Sequence, residues 1–199
     1  MARDIAPSQS ELIVDQSRAS ASGDVIGRDK LSVNIEQVVV QSPPACTVAI
    51  LKQKLATEVG ANQLVDTIID DLARYYERRS TDGIDGLEAK LKHADRHGEV
   101  QYALDQKERF QKLLAYWGHF QSAQMIFALA LCKVEYLFDQ LVRPNIGILP
   151  EAKINEIVCD KIVLRIVDEI GVDVFHIDAG QAAGMVYWLA EQCFVRWHK

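Results

Sequence analysis

A chain of 199 residues, 49% hydrophobic and 25% charged, has the make-up of a soluble globular protein and the length for one domain of about 150 residues with an appendage. Its net charge of −6 and pI of about 5.4 exclude a general basic attraction to nucleic acid. Cys46, Cys132, Cys159 and Cys193 are far apart and form no C-x-x-C, and three of them sit in apolar sequence; they read as buried free thiols of a reducing compartment, not as disulfides or zinc ligands.

Residues 1–22 are polar and rich in Ser and Ala, with Leu12, Ile13 and Val14 as the one apolar cluster, and are expected to form a flexible tail. They lack the apolar core of a signal peptide. The apolar run 121–131 meets Lys133, Glu135 and Asp139 too soon for a bilayer span. A cytoplasmic protein without a membrane segment is expected.

Residues 23–42 change character. Val25 and Ile26 lie between glycine turn signals, and Leu31, Val33 and Ile35 alternate with Lys30, Ser32 and Asn34. This period-two pattern predicts a short hairpin or strand arm. A lone hairpin is marginal in water, and the rest of the chain offers no sheet to receive it. The arm is therefore expected to pair with the same segment of another subunit, giving a homo-oligomer, the alternative being that it lies across its own helical domain. Residues 41–44, with Pro43 and Pro44, read as a linker and domain boundary.

A helical domain is expected over 46–199. The first helix covers 46–59 and stops at Gly60, and Asn62 is placed to cap a second that runs to about residue 80 on the stripe Leu64, Val65, Ile68, Ile69, Leu72, Tyr75 and Tyr76. Residues 81–86 carry two D-G pairs but lack the ligand pattern of a calcium loop, so they read as a turn. A charged helix follows over 87–97. The long apolar stretch 104–143 then divides near Gly118 into helices of about 99–117 and 121–142, the second ended by Pro144. Apolar on most of its faces, this stretch is expected to be buried by its neighbours. Further helices cover 151–170, ended by Gly171, and 179–192, capped by Asp178; Gly184 inside the last marks close helix packing. The fold is thus mainly α: a bundle of about six to seven helices with a short N-terminal β-hairpin or strand arm.

Catalytic patterns are absent. No G-x-S-x-G nucleophile elbow and no phosphate-binding G-x-x-x-x-G-K-[ST] occurs, and Gly180 with Gly184 makes no dinucleotide fingerprint. His93 and His97 share a helical face, but no partner ligands stand at a diagnostic spacing, so an exposed polar face is expected instead of a metal. Asp70 and Asp71 are about 100° apart around a helix and do not form a dyad alone. His119 and His176 read as structural histidines. No cofactor is implied.

The chain also carries Lys107-Glu108-Arg109-Phe110-Gln111-Lys112, then Gln121-Ser122-Ala123-Gln124-Met125-Ile126, Leu137-Phe138 before Pro144, and finally Gly184-Met185-Val186-Tyr187-Trp188-Leu189 with Cys193-Phe194-Val195-Arg196-Trp197. Across residues 85–197 this resembles the C-terminal domain of bacterial ABC-three-component conflict systems. Phe194 stands where the family pattern has His, and Ala190-Glu191-Gln192 where it has Thr-Gly-Asn. The resemblance implies a stand-alone version of this domain, with the strand arm in the place of an effector. It further implies a role in antiviral defence, with an ABC-type ATPase and a small middle component as partners.

The expected function is that of a non-enzymatic adaptor that assembles through the arm (Val25, Ile26, Leu31, Val33, Ile35) and docks protein partners through its helical body. Trp188, Arg196 and Trp197 are the anchor candidates if exposed, because aromatics and Arg dominate interface energetics. The alternative is a small-ligand sensor or cryptic enzyme whose pocket gathers Gln124, Lys133 and Glu135. The C-terminal aromatics with Arg196 and Lys199 have the residue types that stack on nucleic acid, but their spacing fits core anchoring, so nucleic acid is not an expected partner.

Overall fold

The computed structural model describes residues 44–79, 83–171 and 173–198. The expected tail of 1–22 and the arm with Val25, Ile26, Leu31, Val33 and Ile35 lie outside the described residues. Within these, seven helical segments and no strand are present: α1 (Pro44–Gly60), α2 (Asp70–Ala73, continued by a 3-10 turn Arg74–Tyr76), α3 (Leu87–His93), α4 (Val100–Trp117), α5 (Gln121–Leu137, continued by a π-helical turn Phe138–Val142), α6 (Glu151–Val158, a π-helical turn Cys159–Val163, then Leu164–Ile170) and α7 (Ala179–Glu191).

Helix α1 begins two residues before the position its spacing predicts. Pro44 lies in the first turn, where the missing N–H is no loss, instead of in a linker. Val48, Leu51 and Leu55 form its buried face. Asn62 does not cap a following helix; it closes α1. It holds a left-handed φ of 48°, while its own amide donates to the Val59 carbonyl (3.1 Å) and that of Gln63 reaches back to Glu58 (2.8 Å).

The helix expected over 62–80 is reduced to α2 and its short extension. The segment before α2 satisfies its backbone through tertiary bonds instead. The Ile69 amide donates to Gln124 Oε1 (2.7 Å), Gln124 Nε2 donates to the Thr67 carbonyl (2.9 Å), and the Val65 amide donates to the His119 carbonyl (2.8 Å). Once these groups are paired elsewhere, a helix offers the segment nothing more. Leu64 and Ile68, placed by the sequence on an apolar stripe, are consequently exposed.

The charged helix also ends early, at His93. Asp95 takes φ 59°, its amide donates to Lys92 O (3.1 Å), and that of Arg96 reaches Leu91 O (2.8 Å), the same closure as at Asn62. Cys193 repeats it after α7, with φ 66° and bonds from Cys193 to Ala190 and from Phe194 to Leu189.

Helices α4 and α7 cross at close range at Gly184. A Cβ at Gly184 would overlap the Gln106 carbonyl oxygen and lie 2.8 Å from Phe110 Cβ. Only Gly lets the two backbones approach this far. Asp178 caps α7 as its sequence position predicts, accepting from Gln181 N (2.8 Å) while Gln181 Oε1 accepts from Asp178 N (3.0 Å). Residues 182–190 of α7 are buried throughout, since α4, α5, the second half of α6 and α3 all pack on it. Helix α5 in turn lies between α7 and α1. Among the described residues no helix is long and apolar enough to cross a membrane.

Candidate functional site

The polar side chains of the central helices bond within the fold and do not converge. Gln124, 1% exposed, spends its whole amide on the Ile69 N–H and the Thr67 and Gly118 carbonyls, the last at 2.7 Å. Lys133 pairs with Glu169 of α6. Glu135 accepts from Arg74 (2.9 Å) and from the Tyr75 hydroxyl (3.0 Å). Burial and the Glu135 carboxylate together push the Tyr75 phenol well above its ordinary range. Ser122, next to Gln124 in the same short motif, donates both its amide (3.1 Å) and its hydroxyl (2.6 Å) to Glu58 of α1. The motif thus fastens the start of α5 to the segments before it.

The two C-terminal tryptophans are core. Trp188 is 5% exposed and packs edge-on against Phe110 and Tyr76; Trp197 is 3% exposed, with Phe138 edge-on at 5.1 Å. Neither indole N–H has a hydrogen-bond partner among the described residues. Their spacing on a buried helix and its closing turn makes them anchors of the interior, not exposed anchors for a partner. Arg196 between them is half-buried.

Glu191, in the last turn of α7, ties α7 to α3, α4 and the segment before α3. Its carboxylate accepts the Leu87 amide at the start of α3 (3.0 Å) and pairs with Arg78 (3.0 Å) and with Lys107 of α4 (3.3 Å). Burial works to raise this carboxyl group, but the Leu87 amide, Lys107 and Arg78 outweigh it and hold the group below its ordinary range. Beside it Lys90, fully buried, donates to the Ala190 carbonyl.

The stretch expected to be covered on all sides is not. Met125, Leu129 and Tyr136 are 41, 44 and 62% exposed, and with Cys132 they form one stripe along α5. The stripe borders a groove of about 290 Å³ whose opposite wall includes Thr47, Arg74 and Tyr75. Cys132 and Cys159 are exposed free thiols, contrary to the burial expected from their apolar surroundings, because each falls on the outward face of its helix; Cys193 is buried.

A second cleft, of about 320 Å³, opens between the start of α4, the π-helical turn of α6 and α7, and is lined by Glu99, Tyr102, Asn155, Tyr187 and Trp197 among others. Behind it Arg96 lies 4.3 Å over the Trp197 ring and forks onto Glu99 at 2.7–2.9 Å. Asn155 bridges the pair, donating to Glu99 (2.8 Å) and accepting from Arg96. No local motif in the sequence marks this constellation, because its members are spread along the chain from Arg96 to Trp197. His93 and His97 are both exposed, and no group of three or more potential metal ligands occurs among the described residues.

No curated protein and no solved structure matches the chain. Residues 86–197 match the family described as CTD9, C-terminal domain 9 of the ABC-three component (ABC-3C) systems. The match runs from the glycine before α3 to Trp197. It takes in the α4–α7 crossing at Gly184, the Ser122–Gln124 motif and the cleft residues, and it covers more than half of the chain. The chain therefore belongs to the family of C-terminal domain 9 of the ABC-three component systems.

Proposed function

We propose that this protein is a non-enzymatic adaptor of a bacterial antiviral or conflict system, cytoplasmic, self-assembling through its N-terminal strand arm and docking protein partners through its helical body. One contrast on α5 carries the reading. Its polar side chains Gln124, Lys133 and Glu135 are all bonded to other parts of the fold, while its apolar stripe Met125–Leu129–Tyr136 faces outward beside a groove. Polar groups already bonded and dispersed are poorly placed to do chemistry, whereas an open apolar stripe is a means of association. The family membership supports an ABC-type ATPase and a small middle component as the partners.

The test mixes the purified full chain with the ABC-type ATPase of its system and measures affinity by surface resonance or interferometry. A complex weakened about tenfold or more by Leu129→Lys is expected, the loss typical of a charge placed in an interface centre. Absence of any complex, with or without the middle component, would rule the docking role out.

A further inference from the structure

We infer that the cleft between the start of α4, the π-helical turn of α6 and α7 is a binding site for a cationic group, a guanidinium or an alkylammonium. Its walls have the composition such a group requires. Tyr102 and Tyr187 stand as two sides of a corner, their ring planes at 89° and centroids 6.2 Å apart, and Trp197 lies behind Tyr187 at 29°. The faces of aromatic rings attract cations through their quadrupole, most strongly where water is excluded. Glu99 is the one charged side chain among the described residues that line the cleft. Its carboxylate reaches the Tyr187 hydroxyl electrostatically: burial first, and Glu99 next, raise that phenol. Gly98 and Ala183 line the cleft without filling it.

The fold already uses these parts on a cation of its own. Arg96 stacks on Trp197 and forks onto Glu99, but it lines the neighbouring cavity, not this cleft. Glu151 lines that same cavity beside Arg96, and the nearness of Glu99 raises its carboxyl group, so Arg96 lies among two carboxyl groups and does not make the region positive. One wall is the π-helical turn Cys159–Val163, a distortion of a kind that recurs at functional sites. Tyr102, 52% exposed, lines the cleft with its ring edge-on to Tyr187 and within reach of solvent.

The site does not rest on the adaptor reading: its guest is either a side chain presented by a partner protein or a free polyamine. The experiment titrates the full chain, labelled with ¹⁵N, with N-acetyl-arginine amide, with spermidine, and with the neutral isostere N-acetyl-citrulline amide. Saturable shifts at the Gly98 and Tyr102 amides are expected with the cations and not with citrulline. Affinity should fall about two- to fivefold in Tyr102→Ala and be kept in Tyr102→Phe, because the ring face and not the hydroxyl is the contact. Preference for the arginine amide identifies a partner side chain as the source and preference for spermidine a free polyamine; either supports the site. No saturable shift with either cation, or citrulline binding as well as arginine, would overturn it, and the wild-type titration alone decides this if a variant fails to fold.

Discussion

Gly184 is the residue on which the packing turns. In an ordinary helix interior, replacing Gly by Ala stabilises by about 1 kcal/mol through helix propensity. Here the added methyl would meet the Gln106 carbonyl and Phe110 Cβ, both on a helix held in place by its own contacts. Overpacking of this kind costs about 1–3 kcal/mol. Gly184→Ala should therefore lower the urea midpoint of unfolding, whereas propensity alone would raise it. Glu191 offers a second single-residue test. Its carboxyl is held below its ordinary value of 4.5, so its contribution to stability is complete above that value and is lost as pH falls through the lower folded-state pKa. Glu191→Gln cannot titrate. The stability difference between wild type and variant should be largest near neutral pH and shrink as the solution is made acid, which denaturant melts across pH 7 to 3 would record. A glycine inside an otherwise apolar helical pattern is a local signal, so the packing role of Gly184 is legible in the sequence. The role of Glu191 is not, because it comes from Leu87, Arg78 and Lys107, far from it along the chain.

At the scale of the helix, the ends carry most of the information. Three helices close on a left-handed residue that is not glycine: Asn62, Asp95 and Cys193. Of these, Asp95 is exposed, and its side chain makes only a 3.6 Å contact with His97. A left-handed conformation costs a non-glycine residue about 1 kcal/mol or more. Asp95→Gly should thus stabilise the protein by up to about 1 kcal/mol, the opposite sign to glycine placed within a helix. Asp178→Ala should cost about 1 kcal/mol by removing the side-chain acceptor of the Gln181 amide at the start of α7, while the bond from the Asp178 amide to Gln181 Oε1 is kept. Chemical denaturation of the two variants checks both signs. The same feature explains what could be read from the sequence. Helices α4 to α7 are long, periodic and bounded by Gly118, Pro144, Gly171 and Asp178, and their positions follow from pattern alone. The helix expected over 62–80 has an equally good apolar stripe, yet it is replaced by backbone bonds to Gln124 and His119, which belong to a segment some fifty-five residues away. Helical pattern records local preference, and here tertiary hydrogen bonding overrides it.

For the molecule as a whole, the mainly α architecture and the family were both accessible from sequence, because long apolar helices and the C-terminal Gly184–Trp197 pattern are local signals. The surface was not. Burial of Trp188 and Trp197 depends on Phe110, Phe138 and Arg96, and exposure of Met125, Leu129 and Tyr136 depends on which face of α5 the neighbouring helices leave open. The proposed function joins these parts as a helical body that assembles and docks without doing chemistry. Its most direct test is the mass in solution of the purified full chain, alone and mixed with the ABC-type ATPase of its system. The account predicts a multiple of the 22.3 kDa subunit for the chain alone, reduced to a single subunit by Val33→Lys with Ile35→Lys, and a heavier particle containing both proteins on mixing. A 22.3 kDa particle whose mass the ATPase leaves unchanged would contradict it.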